Sequence, residues 1–151
     1  MGSPGKSTRA RLRPRATSNT VARRMASTRQ RDTPGEMALR RLLHSRGFRY
    51  LVDRVVIPGL RRRADILFPS ARVAVFVDGC FWHSCPLHGS LPKTNPTWWR
   101  KKLAANKLRD DDTNRVLEEA GWIALRFWEH EDPVRAADVV IRAIETRTDR
   151  V

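Results

Sequence analysis

The sequence predicts an α/β domain in which a mixed central sheet is sandwiched between helices in three layers. Three observations carry that prediction. Three strand-like runs follow one another across tight turns, which implies antiparallel pairing. A long helical segment separates the third run from a fourth, which allows a parallel crossover. The run Val73-Ala74-Val75-Phe76-Val77 is apolar on both faces, as a central strand covered on both sides must be.

The elements follow in order. Thr33-Pro34-Gly35-Glu36 opens a helix: Thr33 can cap, Pro34 suits the first helical position, and Glu36 completes a capping box. Leu39, Leu42 and Leu43 repeat at helical spacing and Gly47 stops the helix. The strands are expected over Phe48–Val56, Arg63–Phe68 and Arg72–Val77, with turns at Pro58-Gly59 and Pro69-Ser70. Cys80–Pro96 is too rich in Pro, Gly, His and Cys for regular structure. A helix over Thr97–Glu119 ends at Gly121, and Ile123–Trp128 makes the fourth strand. Asp132-Pro133 opens a last helix through Thr146, with Val134, Ala137, Val140, Ile141 and Ile144 on its inner side.

Before this ordered part, residues 1–19 are Ser, Arg, Pro and Gly with little to bury, a disordered basic arm. Thr20–Arg31 is compatible with a short basic helix. Residues 20–151 are then a single domain. The formal net charge is +14, which favours a polyanionic partner, nucleic acid ahead of a membrane surface. The arm explains part of the excess. Arg61, Arg62, Arg63, Arg100, Lys101 and Lys102 lie within the folded part and are candidate phosphate contacts. No apolar run is long enough to span a bilayer, and no hydrophobic stretch follows the basic leader. The expected location is therefore the cytoplasm, where Cys80 and Cys85 serve better as metal ligands or thiols than as a disulfide.

Asp65 is a carboxylate inside an apolar strand, and burying it unpaired is costly. It either pairs with a neighbouring arginine or serves as a hard oxygen ligand for Mg²⁺. Hairpin pairing of the second and third strands brings it toward Asp78, a layout suited to phosphodiester hydrolysis. His83, five residues beyond Asp78, is a candidate general base, because an ordinary histidine changes charge near neutral pH. Glu36 has its capping role, and it also shares a helical face with Leu39 and Leu43, directed inward. Cys80, Cys85 and His88 form a zinc-type cluster whose fourth ligand is His83 or His130; His130 is preferred because it leaves His83 for chemistry. Phe81-Trp82 sits in a polar loop next to the metal cluster and Trp98-Trp99 opens the helix carrying Arg100, Lys101 and Lys102; such aromatics can wedge into a base stack.

With those residues assembled, the chain resembles the very-short-patch repair (Vsr) endonucleases from about Ala22 to Pro133. The matching stretches are Arg31–Glu36, Pro58–Asp65, Val75–His83, Gly121-Trp122 and Phe127–His130. The resemblance implies a restriction-endonuclease-like fold and a Mg²⁺-dependent nick 5′ to the thymine of a T·G mismatch left by 5-methylcytosine deamination. It implies that Asp65 and the backbone carbonyl of Val77 hold Mg²⁺, that His83 is the base and that Glu36 supports it. Phe81, Trp82 and Trp99 would be the wedge, and Cys80, Cys85, His88 and His130 would hold a structural zinc. A cytosine-5 DNA methyltransferase system and mismatch-repair proteins would be partners, and a monomer suffices for a one-strand nick. Two departures stand out. Cys80 occupies the place of the usual nuclease lysine, a departure the family shares. Some members carry His for Asp78 and Thr for Val77, which leaves Asp78 as ligand or as partner to metal-bound waters. The alternatives are a nicking enzyme for other lesions or modified DNA, and a zinc-stabilised DNA-binding module without catalysis.

Overall fold

The computed structural model describes residues 32–80, 85–86 and 91–149. The expected arm and short helix, and with them Phe81, Trp82, His83 and His88, lie outside the described residues. The elements run α1 (Pro34–Ser45), β1 (Leu51–Val55), β2 (Arg63–Phe68), β3 (Val73–Asp78), α2 (Pro96–Glu119), β4 (Ile123–Trp128) and α3 (Pro133–Thr148). The sheet order is β1-β2-β3-β4, antiparallel for the first two pairings and parallel for β3 with β4. The expected mixed sheet is therefore present.

Helices cover both faces. Leu39 and Leu43 of α1 join Ala136, Ala137 and Val140 of α3 over Ile66, Phe68, Val73, Val75 and Phe127. On the opposite face Leu117 of α2 packs with Val56, Ala64, Leu67, Ala74 and Phe76. This division follows from strand periodicity, since successive side chains of β3 point to opposite faces and both must be apolar. β3 is the innermost strand by burial as well as by order, with Val73, Ala74 and Val75 fully enclosed.

Two strands shift their bounds, β1 also ending at Val55 and β3 beginning at Val73. β1 begins at Leu51 rather than Phe48, because Phe48 N–H closes the end of α1 on the Leu43 carbonyl and the Tyr50 hydroxyl donates to the Arg40 carbonyl. β3 includes Asp78. One inward assignment on α3 is corrected: Val134 is 45% exposed and Ala136 is buried in its stead. Val134 sits in the first turn, where its N–H is taken by the Asp132 cap, and the apolar stripe starts with the next turn.

The start of α1 positions the functional end of the sheet. Thr33 Oγ1 accepts from Glu36 N–H, as expected of an N-cap. Glu36 reaches back one residue further than a standard capping box, accepting from Asp32 N–H at 2.8 Å. Gly35 lies against the end of β4: a Cβ there would stand 2.6 Å from the Glu129 carbonyl oxygen. Only glycine lets the helix approach that closely.

Candidate active site and metal centre

The site forms where β2 and β3 part. Their ladder pairs Ile66, Leu67 and Phe68 with Val75, Ala74 and Val73. Past Ile66 the Asp65 side chain takes over: its Oδ2 accepts the Val77 N–H at 2.7 Å. An arginine pair, one of the two readings of Asp65, is thus not what satisfies this oxygen. Burial pushes the Asp65 carboxyl up to about 7, from an ordinary 3.8. The Val77 N–H pulls it back, the negative charges of Glu36 and Asp78 raise it again, and Arg126 lowers it. Three carboxylates from α1, β2 and β3 therefore share one electrostatic neighbourhood, as hairpin pairing led one to expect for two of them.

Glu36 is 1% exposed, with Arg40 Nη1 3.7 Å from its Oε1. Its carboxylate accepts from Asp32 N–H and its charge also acts on Asp65. Asp78 is 7% exposed and holds Arg126 of β4, with Nη1 2.9 Å from Oδ1. Arg126 was not foreseen from the sequence. A charge inside Ile123–Trp128 carries the same signal that singled out Asp65 inside β2.

Just beyond, Cys80, Cys85 and His130 bring their ligand atoms within 4.8 Å of one another. Cys80 Sγ lies 3.1 Å from His130 Nδ1 and Cys85 Sγ lies 3.8 Å from it. The cysteines form no disulfide. β4 ends so that His130, the candidate preferred over His83, lies against both cysteines. Burial pushes the Cys80 thiol up to about 12, and the Cys85 side chain adds to the rise. Such thiols become good ligands only beside a cation. The group can hold a metal ion.

The basic and aromatic candidates divide. Arg61, Arg100, Lys101 and Lys102 are exposed. Arg62 pairs with Asp112 of α2 at 2.7 Å, and Arg63 with Asp53 at 2.9 Å. Trp99 is 5% exposed, whereas Trp98 is 43% exposed and stands edge-on to it at 4.7 Å. No helix among the described residues is long and apolar enough to cross a membrane.

The model of the family described as DNA mismatch endonuclease Vsr matches residues 15–87. The type II nicking enzyme V.NaeI of Lentzea aerocolonigenes is 43% identical over 122 residues, covering 80% of this chain and 74% of that protein. The chain belongs to the Vsr family. The DNA mismatch endonuclease Vsr of Escherichia coli (strain K12) is 34% identical over 112 residues, 73% of this chain and 69% of its own. The type II nicking enzyme V.XorIIP of Xanthomonas oryzae pv. oryzae is 40% identical over 109 residues, 71% and 77% of the two chains. As a Vsr-family protein the chain is an endonuclease acting on DNA phosphodiester bonds, and the reading as a binding module without catalysis is set aside.

Proposed function

We propose that this Vsr-family enzyme nicks one strand 5′ to the thymine of a T·G mismatch arising from 5-methylcytosine deamination, on a restriction-endonuclease-like core. The observation that carries the chemistry is the Asp65 carboxylate, partly buried in the gap between β2 and β3 with Glu36 and Asp78 acting on it. A carboxylate held neutral up to about 7 by its surroundings is one that a divalent cation would ionise. The donors suit Mg²⁺, which binds through one or two carboxylates and otherwise keeps oxygen ligands. In an extended strand a residue's N–H and C=O lie on the same edge. The Val77 carbonyl thus belongs with its N–H on the side of Asp65, which supports it as the second ligand. Bound there, the ion would polarise the phosphate and lower the pKa of water. Glu36 would hold the helix end and orient a water proton, and His83 would accept the proton of the attacking water.

Cys80, Cys85 and His130, with His88 as the fourth ligand, suit a structural zinc: two sulfurs and two imidazoles make a closed tetrahedral set. Phe81 and Trp82 would supply the wedge. Trp99, buried beside the exposed Trp98, would join it only if the start of α2 opens. Exposed Arg61, Arg100, Lys101 and Lys102 would hold phosphates, while Arg62 and Arg63 already have protein partners. The enzyme would act as a cytoplasmic monomer, alongside a cytosine-5 methyltransferase system and mismatch-repair proteins.

The relatives named type II nicking enzymes favour a second reading, in which the nick serves other lesions or modified DNA. Nicking of matched T·A and mismatched T·G duplexes with Mg²⁺ separates the two. Preference for T·G is expected; equal rates would sink the mismatch reading. Asp65→Ala should abolish nicking and keep duplex binding.

A further inference from the structure

Arg126 joins three elements through one side chain. Its Nη1 bonds Asp78 of β3 at 2.9 Å, and its Nε bonds Asn114 Oδ1 of α2 at 2.7 Å. The same Nη1 lies 3.6 Å from Asp110 Oδ1, one turn before Asn114. The guanidinium stands 4.3 Å over the Phe76 ring. Phe76 is the residue opposite Arg126 in the parallel ladder, and Asp78 follows on the same face of β3. The pair is largely enclosed, with side chains 17% and 10% exposed.

Next to it is a cavity of about 180 Å³ lined by Asp78, Asp110, Asp111, Lys107, Asn114 and Arg126, among others. Three carboxylates face that space. Acidic side chains gathered near a nuclease carboxylate are what a second divalent ion would need. Here a fixed guanidinium meets them from within the sheet. Its planar fork can serve Asp78 and Asn114 at once, which a lysine ammonium cannot do in the same geometry.

We propose that Arg126 is the positioning cation of this centre. It neutralises Asp78 and pins α2 to the site end of the sheet, so that Asp65, not Asp78, meets the divalent ion and the Asp78, Asp110 and Asp111 carboxylates take no second one. The inference rests on the reading of Asp65 as the metal carboxylate. It makes Asp78 an anchor for Arg126 rather than a ligand, and it links the helix that presents Trp98, Arg100, Lys101 and Lys102 to the strand ends.

The test uses the full chain, with Mn²⁺ as the probe counted by electron paramagnetic resonance and nicking of a T·G duplex followed alongside. The native protein should take a single Mn²⁺ at the carboxylate site, and Asp78→Asn should keep it. Arg126→Gln should lower kcat roughly 10–100-fold, as loss of a group that orients a metal site does, with KM little changed. It should also take up a second Mn²⁺. The double variant Asp78→Asn/Arg126→Gln should lose that second ion. Arg126→Lys, which keeps the charge without the fork, should stay at a single ion with a kcat between the two. The proposal is overturned if Asp78→Asn loses Mn²⁺ as fully as Asp65→Asn does, or if Arg126→Gln alters only thermal stability. It is equally overturned if Arg126→Lys and Arg126→Gln bind and nick alike. Retention of Mn²⁺ by Asp65→Asn would instead remove the metal reading beneath it.

Discussion

Asp65 shows how one side chain is given its chemistry by what surrounds it. Its carboxyl is raised from 3.8 to about 7, first by burial and then by the charges of Glu36 and Asp78. Between those values the unfolded chain releases a proton that the folded chain keeps. The contribution of Asp65 to stability is thus full below about pH 4 and is lost as the pH rises through about 7. Without divalent ions, the melting temperature should fall between pH 5 and pH 8, and Asp65→Asn should flatten that fall. Added Mg²⁺ should restore stability at pH 8, because the ion favours the ionised carboxylate. An identical pH profile in Asp65→Asn would show that another group is responsible. The sequence signal at this residue is a lone acid in an apolar strand, and the structure sets that acid beside Glu36 and Asp78. What it could not give was the partner. Asp65 took a backbone N–H that the β2–β3 ladder left over, while the arginine went to Asp78, a choice fixed by register and not by sequence distance.

At the scale of elements, legibility followed local chemistry. β4 agrees with its expected bounds and α2 differs by one residue at its start, because turn and cap residues sit beside a clear apolar pattern. The start of β1 was misplaced because Phe48 and Tyr50 look like strand residues but serve the end of α1. By its sequence Gly35 is simply part of a helix start. Its closeness to Glu129 is a long-range fact that no local pattern contains. Gly35→Ala should destabilise the fold by about 1–3 kcal/mol, because backbone must move to admit the methyl. It should also lower nicking more than its stability loss explains, because Glu36 shifts with it. Thr33→Ala is the control: loss of its cap bond should cost about 1 kcal/mol without that excess. Urea unfolding and nicking measured on both variants decide the matter.

Over the whole molecule, the charge balance and the cysteine–histidine group matter most. The net charge of +14 was a correct guide to a DNA-acting protein, but it did not say which cations remain available. Arg62 and Arg63 hold α2 and β1 in place, so part of the basic run is structural. The Cys80–Cys85–His130 group ties the loop after β3 to the end of β4. Metal analysis should find about one zinc per chain if the group forms a closed site. Removing that metal with a chelator should lower the melting temperature and nicking together, and zinc should restore both better than Mg²⁺. A protein equally stable and active after complete zinc removal would rule the structural role out.

The peptide of Glu129 draws these strands together. Its N–H donates to the Asp78 carbonyl at 2.9 Å, its side chain accepts from Cys80 N–H at 3.4 Å, its carbonyl oxygen is the atom that excludes a Cβ at Gly35, and His130 is the next residue. Most of that work is done by main-chain atoms, which every amino acid but proline carries in full. An alanine scan of this centre would therefore score position 129 as a minor contributor. Only a change to the backbone itself, an ester in place of the amide or a proline, would expose how much of this end of the sheet hangs on it.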